Sequence, residues 1–343
     1  MSSKVEFNCL PTAIGSMPHN NAEEACRLVV KYLRDVPHWP QLPKRSHLEN
    51  MYIQFSERFP GLVLEETKLF VERNGDFDTQ LEHLYTADSE KKTEDYGISD
   101  SYAAGLYALS TTKLPVTRII KGQVTGPISW GLCATDREQR GILYDDLLAE
   151  ALAIFLRLKA MWQEKFLQTI SPHTLIFVDE PYLTSLGTAF VAIPDEQVTT
   201  LLEEVFKGIA GLKGVHCCGT TNWSLLLRTS TDVLSFDAYN YADSLSCYPG
   251  EVKTFLERGS CIAWGIVPND EESLAKESVS SLYDRLGEIM SPFTKDGFPF
   301  KQLITQSLLT PSCGLAHLSH EASSQALELL SEVSAKMRSK YSS

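Results

Sequence analysis

Residues 173–181 read HTLIFVDEP, and residues 214–219 read GVHCCG. Each is a short run of aliphatic, β-branched or aromatic residues that ends abruptly in side chains able to do chemistry. Such a run, set between amphipathic segments, reads as a strand of an α/β sheet. The same pattern recurs at PTAIGS (11–16), LVLEE (62–66), VTRIIKGQVTG (116–126), DVLSFDAY (232–239), CIAWGIVP (261–268) and ITQSLLTPSC (304–313). Helical periodicity fills the stretches between, most clearly at 138–169, 194–212, 221–230, 248–259, 271–291 and 319–339. Eight strands alternating with helices predict a single α/β domain over 1–343, a (β/α)8 TIM barrel. Residues 20–115 hold more helical sequence than barrel units need, so a helical elaboration is expected there. No Gly/Ser linker, low-complexity tract or short-period repeat divides the chain.

Composition narrows the function. A chain of 343 residues with 43% hydrophobic content can bury a full core. Its formal charge of -13 repels phosphate backbones, which excludes nucleic acid as a partner. The N-terminus, MSSKVEFNCL, lacks a signal-peptide core, and nowhere do roughly 18 uncharged apolar residues run together. A soluble, cytoplasmic protein with no membrane partner is expected. Eight cysteines in a large chain without a secretion signal read as free thiols or metal ligands.

In a barrel of this kind the working residues come from the C-terminal ends of strands. Ile14-Gly15-Ser16, Thr125-Gly126-Pro127, Asp179-Glu180-Pro181, His216-Cys217-Cys218, Asp237 and Cys313 all follow an apolar run. His216 and Cys218 lie two apart in a strand, so both project to one face and Cys217 to the other. Zinc takes about four nitrogen, sulfur or oxygen donors. Cys313 and Asp237, ending the eighth and sixth runs, are the further donors within reach. Two thiolates favour zinc over magnesium or calcium and suit thiol chemistry better than water activation. Taken alone, a His-x-Cys pair on an apolar strand is more often packed core than a metal site. Asp179-Glu180-Pro181 is likewise what a capped strand-to-helix turn looks like. Cys217 reads as a small buried hydrophobe, and Cys9, Cys26, Cys133, Cys247 and Cys261 have no ligand-like partner nearby in sequence. His317 and His320, at the start of the last helix, are supporting residues at most.

In this order, PTAIGS, VTGP, VDEPYL, HCC, DVLSFD and TPSCGL resemble the catalytic domain of cobalamin-independent methionine synthase, a barrel of the uroporphyrinogen decarboxylase and methionine synthase superfamily. The resemblance implies zinc bound by His216, Cys218 and Cys313. Asp237 stands where the family has Glu; one methylene shorter, it either completes the set or stands behind it. L-homocysteine is the implied substrate, held by Ile14, Gly15 and Ser16 and by Asp179. Asp179 would pair with the ammonium, while Ser16 and neighbouring N–H groups would hold the carboxylate. Glu49, in HLENMYIQF (47–55), is the candidate for the family's early-helix glutamate, or else part of a solvated helix face. Trp130 lines the donor side or packs under its loop.

Two departures bear on the methyl donor. The chain begins almost directly at the Ile-Gly-Ser motif, like a core form without the second barrel that helps hold a polyglutamylated folate. After the seventh run the family has an acidic histidine, whereas WGIVPNDEES (264–273) places Asn269 and Asp270 near that point. Expelling tetrahydrofolate from its N5 nitrogen requires a proton. A corrinoid leaves as cobalt(I) and needs none. The expected donor is therefore methylcobalamin or a methylated corrinoid protein. The rivals are a methyltransferase for another small thiol such as coenzyme M, a uroporphyrinogen decarboxylase-like enzyme, and a non-catalytic corrinoid or zinc carrier.

Overall fold

Nine strands form among the residues that the computed structural model describes, 6–188, 191–294 and 298–341. In chain order they are β1 (Leu10–Pro11), β2 (Leu62–Glu65), β3 (Lys68–Val71), β4 (Ile120–Thr125), β5 (Thr174–Asp179), β6 (Leu212–Cys217), β7 (Val233–Phe236), β8 (Cys261–Val267) and β9 (Ser307–Pro311). Seven make one curled parallel sheet in the order β1-β9-β8-β7-β6-β5-β4. Helices fill the connections, including Asp146–Gln168 between β4 and β5, Asp195–Phe206 between β5 and β6, and Val279–Met290 between β8 and β9. The helix His320–Tyr341 follows the last strand. No helix of the described residues is long and apolar enough to cross a membrane.

Among the described residues this sheet has seven strands where eight are expected, and the odd member is LVLEE. It enters a separate antiparallel hairpin, β2 with β3, closed by a turn in which Glu66 takes a φ of 52°. Between the edge strands β1 and β4 run residues 36–41, VPHWPQ, which make two single bridges, Gln41 with Ser16, five residues past β1, and His38 with Lys121 of β4. The Lys121 amide donates to the Pro37 carbonyl at 2.8 Å, and the Gln41 amide to the Gly15 carbonyl at 3.0 Å. Pro37 and Pro40 have no N–H to give, so this segment cannot extend a continuous ladder on either side. The N-terminal third also holds the helices Ala22–Tyr32, Met51–Gln54, Phe77–Ser89 and Ala104–Thr111. Gly105 lets the last of these lie directly on residues 36–41: a Cβ there would sit 1.9 Å from the Pro40 carbonyl oxygen.

Alternation along the strands divides the core in two. Leu175 and Phe177 of β5 join Leu10, Val233, Ala263 and Leu308 in a small cluster on the face away from the helices. Ile176, Val178, Val215, Leu234, Ile262 and Leu309 join the large cluster with helix residues such as Leu152 and Phe155. The period of two then continues past the strand ends, so Asp179, His216 and Cys218 belong to the first face and Glu180 and Cys217 to the second.

The long helix Asp146–Gln168 buries one lysine completely. Lys159 donates to the Gly97 carbonyl at 2.9 Å, and burial pushes its ammonium down to about 7 against the pull of Glu57. Between that value and the ordinary 10.5 the unfolded chain holds a proton the folded chain lacks, so this group makes stability rise with pH across the window. Lys159→Met should therefore stabilise the protein most below pH 7, with the gain fading toward pH 10; denaturant melts of both proteins at pH 6 and pH 10 read this directly. A gain independent of pH would show that the wild-type lysine does not lose its proton on folding.

Candidate metal centre and substrate pocket

Sheet register sets one row of residues side by side at the C-terminal end of the strands. Thr125 pairs with Asp179, Asp179 with His216, His216 with Ser235, and Ser235 with Ala263. His216 is thus flanked by a carboxylate and a hydroxyl. Its Nδ1 lies 3.0 Å from the Ser235 Oγ, while its buried Nε2 has no hydrogen-bond partner. Two residues on, Cys218 reaches the same space, and Cys313 enters it from beyond β9. The imidazole nitrogen and the two sulfurs all lie within 4.8 Å of one another.

These three residues fit zinc. An imidazole held through one nitrogen and free at the other is the state in which histidine ligates metal. Two soft sulfurs beside it complete three of four tetrahedral positions. The hydrogen bond from Cys313 pulls the Cys218 thiol well below its ordinary range, with His216 assisting and burial opposing. The same contact, with burial, pushes the Cys313 thiol far up. Ser235→Ala should weaken zinc binding by roughly 10- to 100-fold by freeing the imidazole ring; competition with a chromophoric chelator measures it. Unchanged affinity would mean that Ser235 does not orient His216.

Asp237 lies outside the group of three. Its carboxylate caps the helix Ala238–Ser246, one oxygen accepting from the Asn240 amide at 2.9 Å and the other from the Asn240 side chain at 2.8 Å. Burial still pushes its carboxyl upward against those bonds.

A cavity of about 260 Å³ opens beside the sulfurs. Ile14, Ser16, Glu49, Asp179 and Asn269 line it together with His216, Cys218 and Cys313. Gly15 is what lets the Ile14–Ser16 segment pass close to Gln41: at φ +153° a Cβ would meet the Gln41 side-chain oxygen at 2.4 Å. Asp179 is buried with its Oδ1 unpartnered. Burial pushes its carboxyl up to about 6, against the pull of Lys121 and His216. The neighbouring Glu180 points the other way, into the large core. It accepts from the Ile128 amide at 2.9 Å, and from the Ser129 amide at 2.7 Å, fixing the start of the helix Pro127–Cys133. Glu180 thus braces a neighbouring helix and not the turn at Pro181, while Asp179 faces the cavity from the other side of the strand.

Glu49 is brought into the wall, not onto a solvated helix face. It accepts from Arg45 at 2.7 Å and from the Leu42 amide at 3.1 Å, and burial pushes its carboxyl up to about 7 in spite of both. Asn269 is held by Ser312 at 2.9 Å and by the Gly314 carbonyl at 3.3 Å. Asp270 is not in the pocket: it is exposed and caps the short helix Glu271–Leu274 through the Ser273 amide. Trp130 is not there either. It is fully buried against Phe59, its ring N–H donating to the Tyr52 carbonyl at 2.7 Å.

Two polar contributors, Gln41 and Lys121, lie outside the residues expected from the sequence, and His317, expected as a supporting residue at most, joins them. Gln41 and the exposed His317 also line the cavity. Lys121, fully buried on the same face as Asp179, donates to the Ile14 carbonyl at 2.7 Å and so anchors the first loop of the pocket. Burial pushes its ammonium down to about 8 while Asp179 pulls it up. A lysine inside an otherwise apolar strand, two and four positions before Gln123 and Thr125, was the available signal.

No protein-family model and no curated protein sequence matches this chain. Solved structures do resemble it. A B12-independent methionine synthase from Shewanella sp. W3-18-1 in complex with selenomethionine superposes with a TM-score of 0.61 at 15% identity, covering 96% of this chain and 98% of that one. A putative vitamin-B12 independent methionine synthase from Listeria monocytogenes gives 0.58 at 13% identity, covering 98% and 99%. A methyltransferase from Methanosarcina mazei gives 0.54 at 12% identity, covering 98% and 95%. Over nearly their whole lengths, the chain shares the fold of these proteins.

Proposed function

We propose that this chain is a zinc-dependent methyltransferase that moves a methyl group from methylcobalamin, or from a methylated corrinoid protein, to the thiol of L-homocysteine, giving L-methionine. One observation carries the reading: in a single cavity, the unpartnered Nε2 of His216 stands beside two cysteine sulfurs, and the unpartnered Oδ1 of Asp179 stands one strand away. A soft metal site and a buried carboxylate with one oxygen free to accept together describe a substrate with a thiol at one end and an ammonium at the other. The fold shared with methionine synthases supports it.

Zinc held by His216, Cys218 and Cys313 would keep the substrate sulfur deprotonated at neutral pH. Asp179 takes the ammonium in a charge-assisted contact, and Glu49, fixed by Arg45, closes that side. The Ser16 hydroxyl takes the substrate carboxylate. Asp237, which accepts from Asn240 through both oxygens, stands behind His216, Cys218 and Cys313. The thiol proton leaves to solvent, the sulfur lone pair forms the new S–C bond, and the cobalt–carbon electron pair stays on cobalt. Holding sulfur and methyl in line contributes much of the acceleration. Three protein ligands would leave a position for the substrate sulfur on a zinc ion held there, as a catalytic site requires and a carrier does not.

The wall argues against the rivals. Among the described residues lining the cavity there is no arginine or lysine, which a decarboxylase would need for a substrate with several carboxylates. Asp179 and Glu49 would repel the sulfonate of coenzyme M. After β8, Asn269 offers only an amide and Asp270 caps a helix outside the cavity, so that segment gives the cavity no acid, and a donor leaving as cobalt(I) needs none. His317 at the cavity favours a second reading, in which it protonates a folate leaving group. Methionine formation by the zinc-loaded protein from methylcobalamin and from methyltetrahydrofolate separates them. Methylcobalamin should be the efficient donor. Turnover with methyltetrahydrofolate that His317→Ala abolishes would move the donor to folate, and no methionine from either would overturn the methyltransferase reading.

A further inference from the structure

Away from the thiolate cluster, the two ends of the chain meet in a second group of metal-ligating side chains. His19, Glu24 and His320 bring two imidazole nitrogens and a carboxylate oxygen within 4.8 Å of one another. The rings of His19 and His320 stack with centroids 4.3 Å apart and planes 19° from parallel. His19 is 3% exposed, and its Nδ1 has no hydrogen-bond partner. His320 lies 3.2 Å from the Pro18 carbonyl through Nε2. A carbonyl only accepts, so Nε2 carries the hydrogen and Nδ1 keeps a lone pair, the arrangement in which a backbone oxygen orients a metal-bound histidine. Glu24 sits in the first turn of the helix Ala22–Tyr32, whose start is fixed by the Asn21 side chain accepting from the Glu24 amide at 2.8 Å.

We propose that His19, Glu24 and His320 form a second divalent-metal site, of the kind that takes zinc, cobalt(II) or nickel(II). Two imidazoles and a carboxylate are borderline donors that suit these ions, and Glu24 and His320 are exposed, so water fills the remaining positions. One ring must turn about its Cβ–Cγ bond to point both nitrogens at one ion, which breaks the stack. The site acts as a clamp. It ties the segment after Ser16 to the one after Cys313, and these already touch through the Leu315 amide and the Ser16 carbonyl at 2.8 Å. Ser16, just before the first segment, and Gly314, Ala316 and His317 of the second line the substrate cavity.

The test uses the full chain, stripped with a chelator and titrated with cobalt(II), following stoichiometry and absorption. A thiolate site gives an intense sulfur-to-cobalt charge-transfer band, and a His/Glu site gives only weak bands. His320→Ala should bind one equivalent fewer than wild type while keeping the charge-transfer intensity. Glu24→Gln, an exposed and nearly isosteric change, should weaken the same equivalent at least tenfold. Excess zinc should raise the melting temperature of Cys218→Ser, and this rise should vanish when His320→Ala is added. If both single variants bind cobalt(II) with wild-type stoichiometry and affinity, the site does not exist, whether or not the thiolate band is present.

Discussion

Cys218→Ser is expected to strip zinc from the pocket and to abolish methyl transfer to homocysteine. The substitution changes one atom, at a half-buried position, so the fold has little to lose. The chemistry changes completely. A thiol already drawn toward its anion by Cys313 and His216 is replaced by a hydroxyl that stays neutral at pH 7 and is a poor ligand for a borderline-soft ion. Zinc sites of cysteine and histidine hold the ion by about 10–16 kcal/mol. Losing one of three protein ligands should cost far more than the roughly 10- to 100-fold that losing a supporting hydrogen bond costs. The charge-transfer band of the cobalt(II) form measures occupancy of this site, and methionine production measures function. Cys217→Ser is the matched control. Its side chain lies on the opposite face, in the large apolar core, where burial pushes the thiol up to about 12. That variant should lose stability and keep the band. If Cys218→Ser keeps both band and turnover, the cluster of His216, Cys218 and Cys313 is not the metal centre.

The part of the site that could be read from the sequence is the part governed by the two-residue period of a strand. That period put His216 and Cys218 on one face and Cys217 on the other, and it separates Asp179 from Glu180. What escaped depends on neighbours far along the chain. Residues 36–41 contain two prolines and make single bridges instead of a ladder, so no strand pattern marks them, while LVLEE has strand composition but closes on itself through the turn at Glu66. Asp237 and Asp270 follow apolar runs as catalytic carboxylates do, yet each is the first residue before a helix, where an Asp accepts the helix amides. Trp130 is buried by Phe59, some 70 residues earlier in the chain, and no local feature of residues 125–133 announces that. His19 and His320 come from opposite ends of the sequence and meet only because β1 and β9 are neighbours in the sheet.

Asp179→Asn should leave zinc in place and remove selectivity for an amino-acid thiol. The wild-type carboxylate is buried, has an oxygen without a partner, and faces the cavity. Removing one partner of a buried charge pair costs about 2–5 kcal/mol, which is roughly 30- to several-thousand-fold in kcat/KM for homocysteine. An analogue with hydrogen in place of the amine, 4-mercaptobutanoate, should react poorly with wild type and no worse with the variant, so the ratio between the two substrates collapses. The pH profile gives an independent check. Burial holds the Asp179 carboxyl up at about 6, so acid converts it to a neutral group that no longer pairs with an ammonium. For wild type, kcat/KM for homocysteine should fall as pH drops through 6. In the variant that step should be absent, because an amide does not titrate, and only the shallower effect of Glu49, held up at about 7, remains. A substrate ratio that survives the substitution would mean that Glu49, not Asp179, recognises the amine, and Glu49→Gln would then show the collapse instead.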